Sequence, residues 1–333
     1  MKRAVVAVLM MTALASTAWS QRLEGAGATF PYLMYTKWFS EYAGSHSGVA
    51  IHYQPIGSGE GIRKVTAGVV DFGATDVPLT DIQLARARVR VIQVPVLMGA
   101  VVPIFNLPDV GDLKFSGSVL ADIYLGKITN WDDARIAKDN AGVRLPDRKI
   151  FVVHRADVSG TSYIFTDYLS KVSRAWLDGP GRSSAPSWPV GAGAMRNEGV
   201  AALVSKQPGA IGYVELTYAL KNHISSGAVE NRAGKWIRAS IESIEQAAAS
   251  NKEIPSDYRV SITNGAAPDA YPISSFTWLL IPVHGRDEAK AKLIKNLVSW
   301  IVTSGQSQAA SLSYAPLPQP VAEQVLKSVT SLQ

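Results

Sequence analysis

The sequence predicts an α/β protein of two lobes, and three observations predict it. Strand-like apolar runs alternate with amphipathic helical runs, the pattern of helices laid on largely parallel sheets. The chain has 333 residues, more than one core comfortably serves. Two long apolar stretches, Val94 to Phe105 and Phe276 to Val283, have the look of crossings between lobes. One lobe built from both chain ends and another from the middle makes a two-hinged clamp, and clamps of this kind close around ligands.

Before the first element, residues 1–20 read as a secretory signal. Lys2 and Arg3 form the basic start, Ala4 to Ala15 an apolar core too short to span a bilayer, and Ala18 and Ser20 a small-residue cleavage site before Gln21. The expected product is an exported, soluble protein, most simply a periplasmic one. The chain has no cysteine, so there is no lipid-accepting cysteine at the cleavage site and no disulfide framework. Loss of Lys2 and Arg3, with no acid among those twenty residues, lowers the formal net charge from +6 to +4. That mild balance suits an anionic ligand and argues against a nucleic-acid binder.

Along the chain, Pro31 to Tyr42 predicts a helix with Met34, Tyr35, Trp38, Phe39 and Tyr42 on one face and Gly44 to end it. A strand at Ala50 to Tyr53 is followed by a glycine turn at 57–61 and a short helix from Ile62 to Ala67. Val69 to Ala74 predicts the next strand, ending in Thr75-Asp76-Val77-Pro78. Further strands are expected at Lys149 to Val153 and Ile211 to Val214, and helices at Val119 to Leu125 and Glu198 to Val204. Ile164, Tyr168, Val172 and Trp176, widened by Phe165 and Leu169, predict one long helix after Ser159-Gly160-Thr161. The last predicted helix is Glu288 to Val302, with Leu293, Leu297, Trp300 and Ile301 inward.

Three loop-to-helix junctions share one chemistry: Gly25 to Phe30, the turn holding Ser58, and Ser159-Gly160-Thr161. Each offers hydroxyl and amide donors at a helix start, where unpaired N–H groups and the helix dipole favour an anion. Glycine lets the backbone come close to a small ligand. Arg155 and Asp157 stand just before the third junction. An N-cap with a surface salt bridge explains that segment equally well on its own. Asp76 reads either as a turn cap before Val77-Pro78 or as an acceptor.

At this point the sequence resembles a known family. The segments GAGATFP (25–31), IGSGEG (56–61), VDFGATDVPLT (70–80), DIYLGKITNWDD (122–133), RADVSGTSYIFTDYL (155–169), QPGAIGYVE (207–215) and SYAPLP (313–318) are similar, in order, to those of the high-affinity periplasmic phosphate-binding proteins. The resemblance implies a type II solute-binding fold of two α/β lobes joined by two crossover strands. The lobes are expected at 21–99 with 272–333 and at 100–271, after the signal at 1–20. It implies capture of inorganic phosphate as a dehydrated anion and delivery to the membrane permease subunits of an ABC importer, by a protein expected to be a monomer. No cofactor and no metal are implied.

Carried over residue by residue, Thr29 and Phe30 supply backbone donors and Thr29 a hydroxyl. Ser58 donates from its hydroxyl and amide. Arg155 gives a charge-assisted fork oriented by Asp157. Ser159, Gly160 and Thr161 close the site, and Asp76 is the one acceptor. Phosphate near neutral pH keeps a proton to donate to Asp76, whereas sulfate would meet a second anion with no hydrogen between them. Two departures from the family pattern stand near these residues. Glu60 replaces a small residue and is expected to face solvent, and Val158 replaces a common glycine, so that position should not need positive φ.

A catalytic reading would make Ser58 or Ser159 a nucleophile, but it lacks a partner base. His46, His52, His154, His223 and His284 show no metal spacing, and no nucleophile-elbow pattern occurs. His154 is expected as a strand-end residue facing away from Arg155. A binder of another oxyanion, or a phosphate scavenger that never meets a transporter, are the remaining alternatives.

Overall fold

The computed structural model describes residues 21–332 apart from Lys252, Gly285 and Arg286, so the expected export signal lies outside the described residues. The chain opens with β1 (Gln21–Gly27), α1 (Tyr32–Ser45), β2 (Val49–Pro55), α2 (Ser58–Thr66), β3 (Phe72–Thr75) and α3 (Asp81–Arg86). The long β4 (Val91–Phe105) then leads to a middle segment of β5 (Lys114–Phe115), α4 (Gly117–Tyr124), α5 (Ala134–Asp139), β6 (Phe151–Arg155) and α6 (Gly160–Val172). That segment continues through α7 (Arg174–Asp178), β7 (Ala192–Ala194), α8 (Arg196–Lys206), β8 (Ala210–Glu215) and α9 (Leu216–Lys221). Next come β9 (Ser225–Ser226), β10 (Ala228–Glu230), β11 (Trp236–Ile237) and α10 (Ile241–Ala249). The chain returns through β12 (Ser274–Pro282) to α11 (Glu288–Val302), a 3-10 segment (Ser304–Leu312) and α12 (Gln319–Thr330).

The main sheet runs β2-β1-β3-β12-β4-β8-β6-β7, with β9 also on β4, and a small sheet runs β11-β10-β5. On the flanks the pairing is parallel: β1 with β2 and β3, β6 with β7 and β8. In the middle it is antiparallel, β12 against β3 and β4, and β4 against β8. The expectation of largely parallel sheets therefore holds only for the flanks. The two apolar stretches run in opposite directions, and buried on both faces they carry no alternation that would reveal it. β4 changes partner along its length: Ala100 faces Ser274 of β12, and Val101 faces Glu215 of β8.

Helix α1 buries the five residues the periodicity selects, Met34, Tyr35, Trp38, Phe39 and Tyr42. It runs on past Gly44, which lies inside the last turn with open space around it. Helix α2 begins at Ser58 rather than Ile62. Its glycines are there for contact rather than for a loop: a Cβ on Gly61 would lie 2.5 Å from Gly27 Cα and 2.6 Å from the Ala74 carbonyl. The long helix expected after Thr161 breaks at Ser173, which caps a new helix by accepting from the Trp176 amide, so Trp176 is buried from α7. Helix α11 has the expected bounds, but α12 follows it.

The apolar interior is continuous across both sheet halves, with Trp38, Trp131, Trp176 and Trp278 fully buried. Each of these indoles has a carbonyl for its N–H: Gly305 for Trp38 (2.8 Å), Gly209 for Trp131 (2.9 Å), Gly181 for Trp176 (3.1 Å) and Tyr258 for Trp278 (3.1 Å). Among the described residues no helix is long and apolar enough to cross a membrane.

Candidate anion-binding site

In both halves of the main sheet the carboxyl ends of parallel strands face one crevice, where ligands of open α/β sheets bind. From the first half come Thr29 and Phe30 after β1, Ser58 at the start of α2 after β2, and Asp76 after β3. From the second come Arg155 at the end of β6 and Ser159, Gly160 and Thr161 at the start of α6. All of these are buried: Thr29, Ser58, Asp76, Ser159 and Thr161 are at most 2 % exposed and Arg155 is 3 % exposed. The halves are in contact here, since a Cβ on Gly160 would lie 2.4 Å from Asp76 Oδ2 and 2.5 Å from Ser58 Oγ.

Asp76 is held as an acceptor. Thr277 of β12 donates to its Oδ1 at 2.7 Å, while Oδ2 lies beside Gly160 and 3.3 Å from Ser58 Oγ, which in turn accepts the Asp76 amide at 3.1 Å. Burial pushes the Asp76 carboxyl up to about 7, against the opposing pull of the Thr277 hydrogen bond, the Arg155 charge and Ser58. A proton on Asp76 or on a facing ligand is therefore available near neutral pH.

Arg155 donates its Nε to Asp157 Oδ1 at 2.7 Å and its Nη2 to Asp157 Oδ2 at 2.5 Å. The remaining nitrogen, Nη1, is buried with no hydrogen-bond partner among the described residues. Asp157 also accepts the Arg196 amide at 3.0 Å. Burial raises its carboxyl, but the Arg155 hydrogen bonds and charge outweigh that and hold it below the ordinary carboxylate range. An unmade donor on a buried guanidinium is costly, so the geometry suits an anion that takes it.

Ser159 caps α6 by accepting the Ser162 amide at 3.1 Å. The first-turn amides of Gly160 and Thr161 lie where a helix has no internal partner for them. Phe30 contributes only its main chain, because its ring is buried in the core against Gly99. His154 lies on the opposite face of β6 from Arg155 and stacks on Trp188, as its strand-end position predicts. Glu60 faces solvent in an ion pair with Arg63 at 2.7 Å, and Val158 has no positive φ. The Val158 carbonyl accepts the Gly59 amide at 3.2 Å, a contact between the two halves at the crevice edge.

Four residues that the sequence did not single out complete the surroundings. Asn197, wholly buried at the start of α8, donates to the hydroxyls of Thr29 (2.9 Å) and Thr161 (3.2 Å). Glu215, Tyr218 and Tyr314 support the main chain beneath: Tyr218 donates to the Thr29 carbonyl at 2.7 Å and Tyr314 to the Phe30 carbonyl at 2.6 Å. Glu215 and Tyr314 lie in the segments 207–215 and 313–318 that carry the resemblance, whereas no motif marks Asn197 or Tyr218; the fold brings all four to the junctions.

Glu215 is wholly buried, and burial favours its neutral form. Burial pushes its carboxyl up to about 8, despite hydrogen bonds from the Thr217 amide, Tyr314 and the Thr217 hydroxyl. The Tyr314 hydroxyl lies 2.6 Å from the Phe30 carbonyl and 3.0 Å from Glu215 Oε2, and its one hydrogen is shared between these two acceptors. In the unfolded chain this carboxyl titrates near about 4.3. Its contribution to stability is therefore full at low pH and is lost as the pH rises through about 8. Thermal melts of phosphate-free protein should show Tm falling by roughly 5 °C from pH 5.5 to 9, and falling less in Glu215→Gln. Equal slopes for the two proteins would contradict this assignment.

Comparison with known proteins agrees with this architecture. The model of the PBP superfamily domain matches residues 13–304. A phosphate-binding protein PstS of Xylella fastidiosa (strain Temecula1) is 43% identical over 310 residues, 92% of this chain and 84% of that protein. The PstS of Pasteurella multocida is 40% identical over 327 residues, 97% and 94% of the two chains. Among solved structures, a high-affinity periplasmic phosphate-binding protein bound with phosphate at pH 8.5 superposes with a TM-score of 0.75 at 21% identity, covering 92% of this chain and 94% of that one. An ABC-type phosphate transport receptor from Vibrio cholerae gives a TM-score of 0.57 at 19% identity, over 89% and 100% of the chains. This chain belongs to the PBP superfamily and, within it, to the family of the PstS phosphate-binding proteins.

Proposed function

We propose that this protein captures inorganic phosphate in the crevice between its sheet halves and delivers it to the permease of an ABC importer. The observation that carries the reading is the pairing of opposites in one buried place. Arg155 offers an unused donor and a positive charge, and Asp76 offers an acceptor whose proton balance lies near neutrality. A singly protonated phosphate satisfies both. Thr29, Phe30, Ser58, Ser159, Gly160 and Thr161 surround it with donors, and Asp157 orients Arg155. The relatives, named as phosphate-binding proteins, point the same way.

The lobes of the clamp are 21–99 with 272–333 and 100–271. The change of partner on β4 between Ala100 and Val101 supports the first boundary. Gly59 and Val158 meet at the crevice edge when the lobes close. Export of a monomer to the periplasm, and binding without catalysis, complete the proposal. Turnover of a chromogenic phosphate ester, lost in Ser159→Ala, would overturn the last part.

Phosphate added to carefully stripped protein should raise Tm, because a ligand at 100 times its Kd adds about 2.7 kcal/mol to the folded state. An unchanged Tm at millimolar phosphate would contradict phosphate capture.

A further inference from the structure

We infer that Asn197 is a positioning residue that fixes the polarity of the site, holding the hydroxyls of Thr29 and Thr161 as donors toward the bound anion. The inference rests on the phosphate reading above and adds a residue to it.

The side-chain amide can sit only one way round. Its Oδ1 accepts the backbone N–H of Glu215 at 3.1 Å, and a backbone N–H can only donate. The Nδ2 end must then face the two threonines, at 2.9 Å from Thr29 Oγ1 and 3.2 Å from Thr161 Oγ1. An amide NH2 offers hydrogens and no lone pair, so each hydroxyl oxygen accepts from Asn197 and its own hydrogen is left to point elsewhere. Each hydroxyl keeps a second lone pair, but the amide fills the one on its own side and so favours turning the hydrogen toward the crevice. One side chain from the second half thus biases a hydroxyl from each half toward donating.

The backbone reinforces this placement. Arg196, immediately before Asn197, has φ of 63°, a left-handed conformation that non-glycine residues seldom adopt. Its amide donates to Asp157 Oδ1, the carboxylate that orients Arg155. A single strained turn therefore aims both the guanidinium and the amide that orders the hydroxyls. With the two threonines biased toward donating, Asp76 is the principal acceptor, and the site favours an anion with one proton over one with two.

The charged and titratable groups around Asn197 are Arg196 and Glu198 on its own helix, Glu215 at the end of β8, Tyr218 on α9, Tyr314 beside Glu215, Arg155 at the end of β6, Asp157 just after it, and Asp76 across the crevice. All are shared by wild type and variant. Removing the amide frees each threonine to rotate and accept, so dihydrogen phosphate can place its second proton on a threonine oxygen.

Titration calorimetry of phosphate at pH 5.5 and 8.5 tests this in wild type, Asn197→Ala, and both forms in a Thr29→Val/Thr161→Val background. Asn197→Ala should weaken binding about tenfold or more at pH 8.5 and clearly less at pH 5.5. In the double-valine background it should cost less than about threefold, because the hydroxyls through which it acts are gone. Equal losses at both pH values and in both backgrounds would make Asn197 a structural residue and overturn the inference. Thermal melts report whether each variant folds. Asn197→Asp keeps the shape but offers the hydroxyls only acceptors, and it should lose more than Asn197→Ala at pH 8.5; wild-type affinity in that variant would also overturn the inference. Absence of binding by the wild type would overturn the phosphate reading itself, and this inference with it.

Discussion

Arg155→Ala should reduce phosphate affinity by roughly 10²–10⁴-fold, the equivalent of about 3–5 kcal/mol. Nothing else at the crevice brings a full positive charge among the residues assembled there, and the Arg155 side chain is 1 % exposed. Its loss removes the donor aimed at the anion and strands Asp157, whose carboxylate has no other side-chain hydrogen-bond partner among the described residues. That stranded charge would then repel the ligand, so the effect exceeds the value of one hydrogen bond. Arg155→Lys separates the two contributions. It keeps the charge but cannot hold Asp157 with a fork while reaching into the crevice. Calorimetry should place it between wild type and Arg155→Ala; a lysine variant with wild-type affinity would show that charge alone suffices.

Gly160→Ala should be the next most damaging change, at roughly 10–100-fold in phosphate affinity. The added methyl would lie 2.5 Å from both Asp76 Cβ and Ser58 Oγ and 2.4 Å from Asp76 Oδ2. These are short, buried side chains from the other half of the sheet, with no flexible end to swing aside. Either Asp76 yields its position as acceptor or the halves stay apart. The ligand-free protein can relieve the clash by opening, so Tm without phosphate should change little. Gly44→Ala is the matched control, because its methyl meets nothing within 4 Å and it lies inside α1. Wild-type binding by Gly160→Ala would mean that the halves need not meet as closely as they do here.

The two changes also mark what could be read from the sequence. Ser58 and Ser159 to Thr161 stood out because a hydroxyl beside glycine at a helix start is a local pattern with a local cause, whereas the roles of Thr29 and Asp76 came from the resemblance. Arg155 and Asp157 stood two residues apart and needed only each other. Asn197 and Thr277 were not visible, since each reaches the site from a remote element and has no neighbour in sequence that explains it; Glu215 and Tyr314 lie in segments that carry the resemblance, but nothing local gave them a role. Asn197 could have been suspected only from its place at the start of a helix after a strand. The same distinction holds for the fold. The buried face of α1 follows from spacing alone, whereas the antiparallel pairing of β4 with β12 depends on where the chain returns. The break at Ser173 was hidden because Trp176 keeps helical spacing with Ile164 across two separate helices.

The central claim is that Asp76 reads a proton on the ligand. Titration of stripped protein with phosphate and then sulfate, in wild type and Asp76→Asn, tests it most directly. At pH 8.5, where Asp76 is mostly ionised, the wild type should take phosphate tightly and give no heat with sulfate, because a carboxylate facing a fully deprotonated anion in a buried site has no hydrogen to share. Asp76→Asn can present a donor in place of the charge, so it should bind sulfate and lose most of the discrimination. Equal binding of both anions by the wild type, or undiminished discrimination in Asp76→Asn, would contradict the account.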